Sequence, residues 1–142
     1  MAEKVDTQNE LFQQCRHIAD QIESGEYECF LSAETSLPMM YMSDAIKATI
    51  DIMQAPSDQI KIRSSYNISA MSFNPAEIAV EISKHIPEFQ ISYAPDFRQE
   101  IANDWPASID DSLAREHWNW KNDYDLAGMT SDMLENLKRQ KA

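Results

Sequence analysis

Glycine is scarce in this chain: Gly25 and Gly128 are the only two among 142 residues. A glycine-rich loop that cradles nucleotide phosphates needs two or three glycines within a short stretch. The chain therefore has neither a dinucleotide-binding fingerprint nor a P-loop. Cysteine is equally scarce, since Cys15 and Cys29 are the only two. They predict no disulfide framework and favour a reducing compartment.

Basic residues are also few, with 12 Lys and Arg against 24 Asp and Glu, which gives a net charge of −12. This balance argues against nucleic acid and anionic membranes as partners. No apolar run approaches the roughly 20 residues of a membrane span. The first ten residues resemble neither a signal nor a transit peptide. We therefore expect a cytoplasmic protein whose 43% hydrophobic residues fold as one domain.

Side chains suited to catalysis are not grouped in the sequence. His17, His85 and His117 lie far apart, without acidic or cysteine partners at ligand spacing, so no metal site is predicted. The chain has no Gly-x-Ser-x-Gly elbow and no Tyr-x-x-x-Lys pair. Asp110 and Asp111 are interpreted as helix-start residues rather than catalytic carboxylates. No catalytic residue is predicted in this chain.

The sequence does contain helical periodicity, which predicts five helices. They are expected at about 8–24, 44–55, 75–86, 109–118 and from 126 to about 138. The first has the apolar stripe Leu11, Cys15, Ile18 and Ile22, and Gly25 is expected to end it. In the second, Ile46, Ile50 and Met53 are expected to face the core.

Local capping signals fix the starts of two of these helices. Asn74 as N-cap, Pro75 at the first position and Glu77 at the third make the strongest one. The stripe of that helix is Ile78, Ile82 and Ile86. Residues 108–111 form a variant capping box, with Asp111 in the place of Glu, and are expected to open the helix at 109.

Short strands are predicted between the helices, at 27–31, within 59–68 and at 89–93, where apolar residues alternate. The fold class is therefore α/β with the α+β character of a small lobe, in which short strands are interleaved with about five helices. Within the chain, an N-terminal helix is expected in 1–24 and a lobe in 25–142.

Two aromatic or methionine-rich segments have alternative interpretations. The methionines of "PMMYM" at 38–42 are either adaptable core packing or the wall of an apolar pocket. Trp105, held by Pro106 in an extended turn, is either a lid on the core or a pocket wall. Trp118 and Trp120 are expected to pack the end of their helix against the strand layer.

Four segments together resemble one family. Residues 37–56, 62–93, 96–121 and 124–134, including "LPMMYMSDAIKATIDIMQAP" and "IANDWPASIDDSLAREHWNW", look like the C-terminal part of short-chain, epimerase-like L-threonine 3-dehydrogenase. Nucleotide-sugar epimerases share only looser versions of these motifs. In those relatives Gly-Trp is usual where this chain has Asn119 and Trp120.

The resemblance implies the C-terminal lobe of an extended Rossmann-type dehydrogenase, without the nucleotide-binding half. In that family NAD oxidises the β-hydroxyl of L-threonine to give 2-amino-3-ketobutyrate. The NAD loop and the catalytic Tyr-x-x-x-Lys lie in a Rossmann domain that this chain does not match. Trp105 is the one residue that carries over, as a substrate-binding residue. We therefore predict that this chain alone neither binds NAD tightly nor oxidises threonine.

The resemblance leaves three hypotheses open. The chain is the substrate lobe of a threonine dehydrogenase, with a Rossmann-domain partner or self-association. In this case apolar surface near "PMMYM" and the first helix would be exposed. Alternatively, it is a non-catalytic binding or interaction module, whose helix 8–24 covers that face. The third hypothesis is a lobe of a nucleotide-sugar epimerase or reductase.

Overall fold

The computed structural model describes residues 25–141, which form four short strands and five helices. In chain order they are β1 (Glu26–Cys29), β2 (Leu37–Met39), α1 (Met42–Gln54), β3 (Met71–Phe73), α2 (Pro75–His85), β4 (Gln90–Tyr93), α3 (Phe97–Asn103), α4 (Ser112–Trp118) and α5 (Leu126–Lys141). The predicted α/β class with short interleaved strands is confirmed. The helix predicted at 8–24 lies outside the described residues. Between 25 and 141, no helix is long and apolar enough to cross a membrane.

The strands form two separate two-stranded sheets. β1 pairs in parallel with β4, with Tyr27 opposite Ile91, and β2 pairs antiparallel with β3, with Leu37 opposite Phe73. Strands were predicted at the positions of β1 and β4, whereas the three-residue strands β2 and β3 were not. Two-stranded sheets are marginal on their own, so helices must cover their faces.

The strands predicted within 59–68 do not form. The phenol oxygen of Tyr66 accepts a hydrogen bond from the Ile62 backbone N–H at 3.2 Å, which folds the segment on itself. Ile60, Tyr66 and Ile68 pack instead against the buried core cluster. The apolar alternation therefore reflects core contacts of an irregular segment and not a ladder of strand hydrogen bonds.

Helix α1 buries a different face from the one predicted. Ile46, Ile50 and Met53 are 55%, 47% and 79% exposed, so they do not form the buried stripe. The helix instead buries Asp44 and Ala48, which are each 1% exposed. The small Ala48 leaves room for large aromatic side chains, and this decides which face of α1 turns inward.

The core under α1 consists of Ala48, Ala114, Trp118 and Trp120. Trp120 is fully buried, and its Nε1 donates a 2.9 Å hydrogen bond to the backbone carbonyl of Ser69. The two tryptophans thus pack against α1 and the irregular segment, and the expectation that they face a strand layer is wrong. Large aromatic residues contribute most of the burial in a core this small.

Asp44 fixes the segment after α4 to the start of α1. Its carboxylate accepts hydrogen bonds from the backbone N–H groups of Asp123 at 2.8 Å and Tyr124 at 3.1 Å. A buried carboxylate needs such partners, since an unpaired charge would be costly in the interior. Asp44 therefore positions the chain for its entry into α5.

Helix α2 begins as predicted. The Asn74 side chain accepts from the Glu77 backbone N–H, and the Glu77 carboxylate accepts from the Asn74 backbone N–H, both at 2.9 Å. Pro75 occupies the first turn. This reciprocal capping satisfies two backbone donors that the helix itself leaves free.

Helix α4 begins at Ser112, three residues later than predicted, and its N-cap Asp111 makes no capping hydrogen bond. Asp110 instead accepts the Ser112 backbone N–H at 2.9 Å, and Asp111 pairs with Arg115. Arg115 thus binds the Asp111 carboxylate that the predicted capping box would have used. Helix α3, capped by Asp96, was not predicted at all.

Candidate substrate-side surface

Trp105 lies on the turn that follows α3. Its backbone N–H donates to the Ala102 carbonyl at 3.2 Å, which continues the helical path for one more hydrogen bond. The side chain is 61% exposed. Trp105 is therefore not a lid on the core of the described residues, but an aromatic ring presented at the surface.

The turn continues an apolar face of α3. Phe97 is 71% exposed and Ile101 is 52% exposed, and with Trp105 they are spaced four residues apart. The sequence interpretation missed this face because it missed α3. The signal was present: Asp96 can cap a helix, and the spacing of Phe97, Ile101 and Trp105 is that of a helix face.

Helix α3 is fixed to the loop after β1 by one glutamine. The Gln99 Oε1 accepts the Ser32 backbone N–H at 2.7 Å, and its Nε2 donates to the Thr35 hydroxyl at 2.9 Å. Because these bonds join positions more than 60 residues apart in sequence, they hold the helix in place. The Trp105 turn is thus carried by an anchored element.

An ion pair between Asp96 and Arg98 lies at the N-terminus of α3. The Asp96 carboxylate accepts from the Arg98 side chain at 2.6 Å, and the Arg98 guanidinium lies 3.5 Å from the Phe30 ring centroid. The side-chain hydrogen bond from Arg98 lowers the pKa of Asp96, and the same bond raises the pKa of Arg98. Both groups therefore stay charged around neutral pH, and their charges balance at the start of the helix.

A cavity of about 320 Å³ lies elsewhere, between the two sheets, α2 and α5. Its walls include Cys29, Leu37, Ile78 and Met133, and no charged side chain lines it. Burial raises the pKa of Tyr27, another wall residue, so the phenol stays neutral. Such a cavity lacks counter-charges for an amino acid zwitterion, and Trp105 is not among its lining residues.

The methionines at 39–42 divide between the two interpretations. Met40 packs against the core cluster, as the first interpretation holds. Met39 lines the cavity, as the second holds. Met42 fits neither interpretation, because it is 69% exposed. Its exposure adds to the apolar outer face of α1, made by Met42, Ile46, Ile50 and Met53.

The two histidines of the described residues, His85 and His117, lie in different surroundings. The Nδ1 of His117 lies 2.8 Å from the Tyr66 hydroxyl, a contact within the core wall. His85 is in the last turn of α2, and His17 lies outside the described residues. From residue 25 to residue 141, no three His, Cys, Asp or Glu side chains are grouped so that they could hold a metal ion.

The residues described here do not fit the pyrophosphate of NAD. Gly25 precedes a strand, and Gly128 lies inside α5, so neither opens a helix toward a phosphate. The N-caps of α1 to α4 are Tyr41, Asn74, Asp96 and Asp111, two of which are aspartates that would repel the anion. No step involving NAD is therefore assigned to these residues.

Known proteins show what the chain resembles. It is 50% identical to pig mitochondrial L-threonine 3-dehydrogenase over 116 residues, which is 81% of this chain and 31% of that protein. It is 45% identical to an uncharacterized epimerase/dehydratase of Staphylococcus haemolyticus over 120 residues, covering 84% and 38%. The chain thus spans about a third of the length of these relatives. No protein-family model matches it.

Solved structures agree with these relatives. The GalE-like L-threonine dehydrogenase of Cupriavidus necator superposes with a TM-score of 0.79 at 54% identity, covering 85% of this chain and 44% of that one. L-Threonine dehydrogenase of Phytophthora infestans gives 0.81 at 50% identity, covering 85% and 39%. A UDP-glucuronic acid 4-epimerase of Bacillus cereus, at 13% identity and a TM-score of 0.69, shares the fold alone.

These similarities define the class of protein first. The fold is a partial lobe of the Rossmann-type dehydrogenases and epimerases of the extended short-chain superfamily, and it covers about 40% of their chains. Within that class, the resemblance to L-threonine 3-dehydrogenase is confirmed, because relatives and structures at about 50% identity carry that name. The chain is homologous to their C-terminal lobe.

Proposed function

We propose that this chain supplies the substrate-side lobe of an NAD-dependent L-threonine 3-dehydrogenase. The observation that carries the proposal is the 50–54% identity to proteins of that name, of which the chain matches less than half. A nucleotide-binding half would hold NAD and the groups that transfer hydride. The residues of this chain would bind and enclose threonine against it.

Trp105 is proposed to be one wall of the threonine pocket. Its ring lies on a turn that follows the anchored helix α3, and it is mostly exposed. A second protein surface could therefore pack opposite the ring and complete a pocket. A rigid indole excludes water from a small ligand without much loss of conformational entropy. In this proposal Trp105 binds and shields the substrate and takes no part in proton or hydride transfer.

The nucleotide-binding half is proposed to dock on the outer face of α1. Four large apolar side chains of this helix are 47–79% exposed. Such a contiguous apolar patch commonly marks an interface. Lys47 and Asp51, on the flank of this face, form an ion pair of 3.8 Å and would contribute a polar rim.

Complementation tests the proposal. The purified chain is mixed with the nucleotide-binding half of the Cupriavidus necator enzyme, and NADH formation from L-threonine is followed by absorbance. We expect activity from the mixture and none from either part alone. A chain carrying Ile50→Lys and Met53→Lys on the outer face of α1 should lose complementation, while Val80→Lys, an exposed change on α2, should keep it. Activity of the chain alone would contradict the proposal.

A nucleotide-sugar epimerase or dehydratase lobe is the second candidate, and the Staphylococcus haemolyticus relative favours it. The same complemented pair distinguishes the two, because UDP-sugar conversion without threonine oxidation would support the second. If the pair forms a stable complex but turns over neither substrate, the chain is a non-catalytic interaction module. A cytoplasmic location is also proposed, and the free, buried Cys29 agrees with a reducing compartment of that kind.

A further inference from the structure

Gln99 joins the loop after β1 to the C-terminal end of α3. Its Oε1 accepts the Ser32 backbone N–H at 2.7 Å and lies 3.1 Å from the Thr35 hydroxyl. Its Nε2 donates to the same hydroxyl at 2.9 Å and to the Oδ1 of Asn103 at 2.6 Å. One amide group therefore connects the loop with the last residue of the helix.

The orientation of the Gln99 amide is determined by its neighbours. The Ser32 backbone N–H can only donate, so the amide oxygen must face it. The amide nitrogen consequently points to Asn103, which must present its own oxygen. An apolar side chain of the same length cannot make this connection.

Asn103 is followed directly by the turn that presents Trp105. The next two backbone N–H groups, of Asp104 and Trp105, each donate at 3.2 Å to carbonyls in the last turn of α3. Pro106 then stops the helical path, since it has no N–H and disfavours helical backbone in the residue before it. The indole is thus carried by a short turn whose position depends on the end of α3.

Apolar packing contributes little to the position of this turn. Trp105 is 61% exposed and Ile101 is 52% exposed. Among the described residues of α3, Ala102 is the buried one, and it brings a single methyl group to the core. The hydrogen bonds of Gln99 therefore take a larger share in fixing α3 than they would in a helix with a buried apolar stripe.

We propose that Gln99 is a positioning residue for Trp105. By holding Asn103 at a fixed distance from the loop after β1, it places the indole where the substrate would meet it. Gln99 itself touches no substrate and acts through Trp105. Its effect on threonine rests on the proposed function, whereas its effect on the turn is measured in this chain by itself.

The kinetic test uses the complemented enzyme and Gln99→Met, which keeps the length of the side chain and removes its polar groups. We expect the KM for L-threonine to rise about fivefold, while kcat and the KM for NAD stay within about twofold. Glu100→Met, at the exposed neighbouring position of the same helix, is the matched control and should leave all three within about twofold.

A double variant tests whether Gln99 acts through the indole. In a Trp105→Ala background, Gln99→Met should have no further effect on the KM for threonine, because the ring that it positions is already absent. A rise of about fivefold that persists in this background would overturn the proposal.

Variants of Asn103 test the connection without disturbing the loop after β1. Asn103→Ala removes the acceptor at an exposed position, where alanine favours the helix, and should raise the KM for threonine about threefold. Asn103→Asp keeps an acceptor for the Gln99 amide and should have the wild-type KM. Equal KM values for these two variants would overturn the proposal.

Nuclear magnetic resonance of the chain alone separates the positioning role from the proposed function. Backbone amide relaxation should give order parameters of about 0.85 at Asp104 and Trp105 in wild type and below about 0.6 in Gln99→Met. If Gln99→Met does not fold, Asn103→Ala gives the same readout. Unchanged order parameters would overturn the positioning role. A loosened turn, in a chain whose complemented pair leaves threonine unreacted, would support the positioning role and refute the proposed function.

Discussion

At the residue scale, Asn119 explains a departure from the wider family. It has φ 60° and ψ 38°, the left-handed conformation at the end of α4, and its N–H donates to the Ala114 carbonyl. Glycine adopts this conformation without strain, and asparagine is the next best residue. Asn119 therefore suits the same left-handed backbone geometry that a glycine would adopt, as in the Gly-Trp implied by the resemblance to nucleotide-sugar epimerases.

We expect Asn119→Ala to lower the free energy of unfolding by about 1 kcal/mol, because alanine is strained in the left-handed region. Asn119→Gly should be neutral within about 0.5 kcal/mol or slightly stabilising. Urea unfolding monitored by tryptophan fluorescence measures both. Equal free energies of unfolding for Asn119→Ala and Asn119→Gly would contradict the idea that the left-handed backbone favours asparagine or glycine at this position.

Asp111 makes stability depend on pH. Burial raises its pKa, but hydrogen bonds and charge from Arg115, together with the Ser69 N–H, lower the pKa by more, so the carboxyl titrates below its ordinary value. A lowered pKa in the folded state stabilises the fold above the unfolded pKa, and this contribution is lost as the pH falls through the folded pKa.

We therefore expect Asp111→Asn to be less stable than wild type by about 1 kcal/mol at pH 6. The difference should shrink as the pH falls below about 4, where the carboxyl of the unfolded chain begins to be protonated, and should vanish once the folded carboxyl is protonated as well. Urea unfolding at several pH values measures it. Asp58→Asn, at an exposed loop position, should stay within about 0.5 kcal/mol of wild type at pH 6. A difference for Asp111→Asn that persists undiminished at pH 2 would contradict the assignment.

At the element scale, α1 has apolar residues on two faces, and only tertiary packing decides which face is buried. We expect Ala48→Leu to destabilise the fold by about 1–3 kcal/mol, because the added atoms would overlap Trp118 and Trp120. Met53→Ala should change stability by less than about 0.5 kcal/mol, since Met53 is 79% exposed. Thermal unfolding of the two variants measures this, and the reverse order would support the face inferred from sequence.

Prediction from sequence succeeded where the signal was local. The capping box of Asn74 and Glu77 requires only its own side chains, and α2 starts where predicted. It failed where the partner is distant: Ile46 and Ile50 fit a buried stripe as well as Ala48 does until the tryptophans are in place. The alternation at 59–68 failed similarly, because none of the strands in 25–141 pairs with that segment. Trp105 stays a predicted site residue, and the helix α3 that precedes it was missed.

At the scale of the whole molecule, the described lobe has three apolar surfaces. One is the cavity between the two sheets, α2 and α5. The outer face of α1 and the Phe97–Trp105 face instead point away from the core. Under the proposed function, the outer face of α1 meets the nucleotide-binding half, and Trp105 meets the substrate. In that proposal the lobe supplies one wall of the pocket, and its contribution is measured in the complemented enzyme.

The final prediction concerns that complemented enzyme. Trp105→Ala should raise the KM for L-threonine about tenfold, a loss of roughly 1.4 kcal/mol of binding, because the indole would no longer exclude water from the pocket. The KM for NAD should stay unchanged, since no residue of this lobe is assigned to the cofactor. Trp105→Phe should recover most of the loss by restoring an aromatic wall.

Phe97→Ala is the matched control for that prediction. Phe97 is also an exposed aromatic residue of the α3 face, but it lies about 12 Å along the helix axis from Trp105. Its loss should leave both KM values within about twofold, and neither alanine variant should lower the stability of the chain by more than about 0.5 kcal/mol. Steady-state kinetics at varied threonine and varied NAD separate the two substrates. Equal effects of Trp105→Ala and Phe97→Ala on the KM for threonine would mean that the whole face docks a protein surface, and Trp105 would not be a pocket wall.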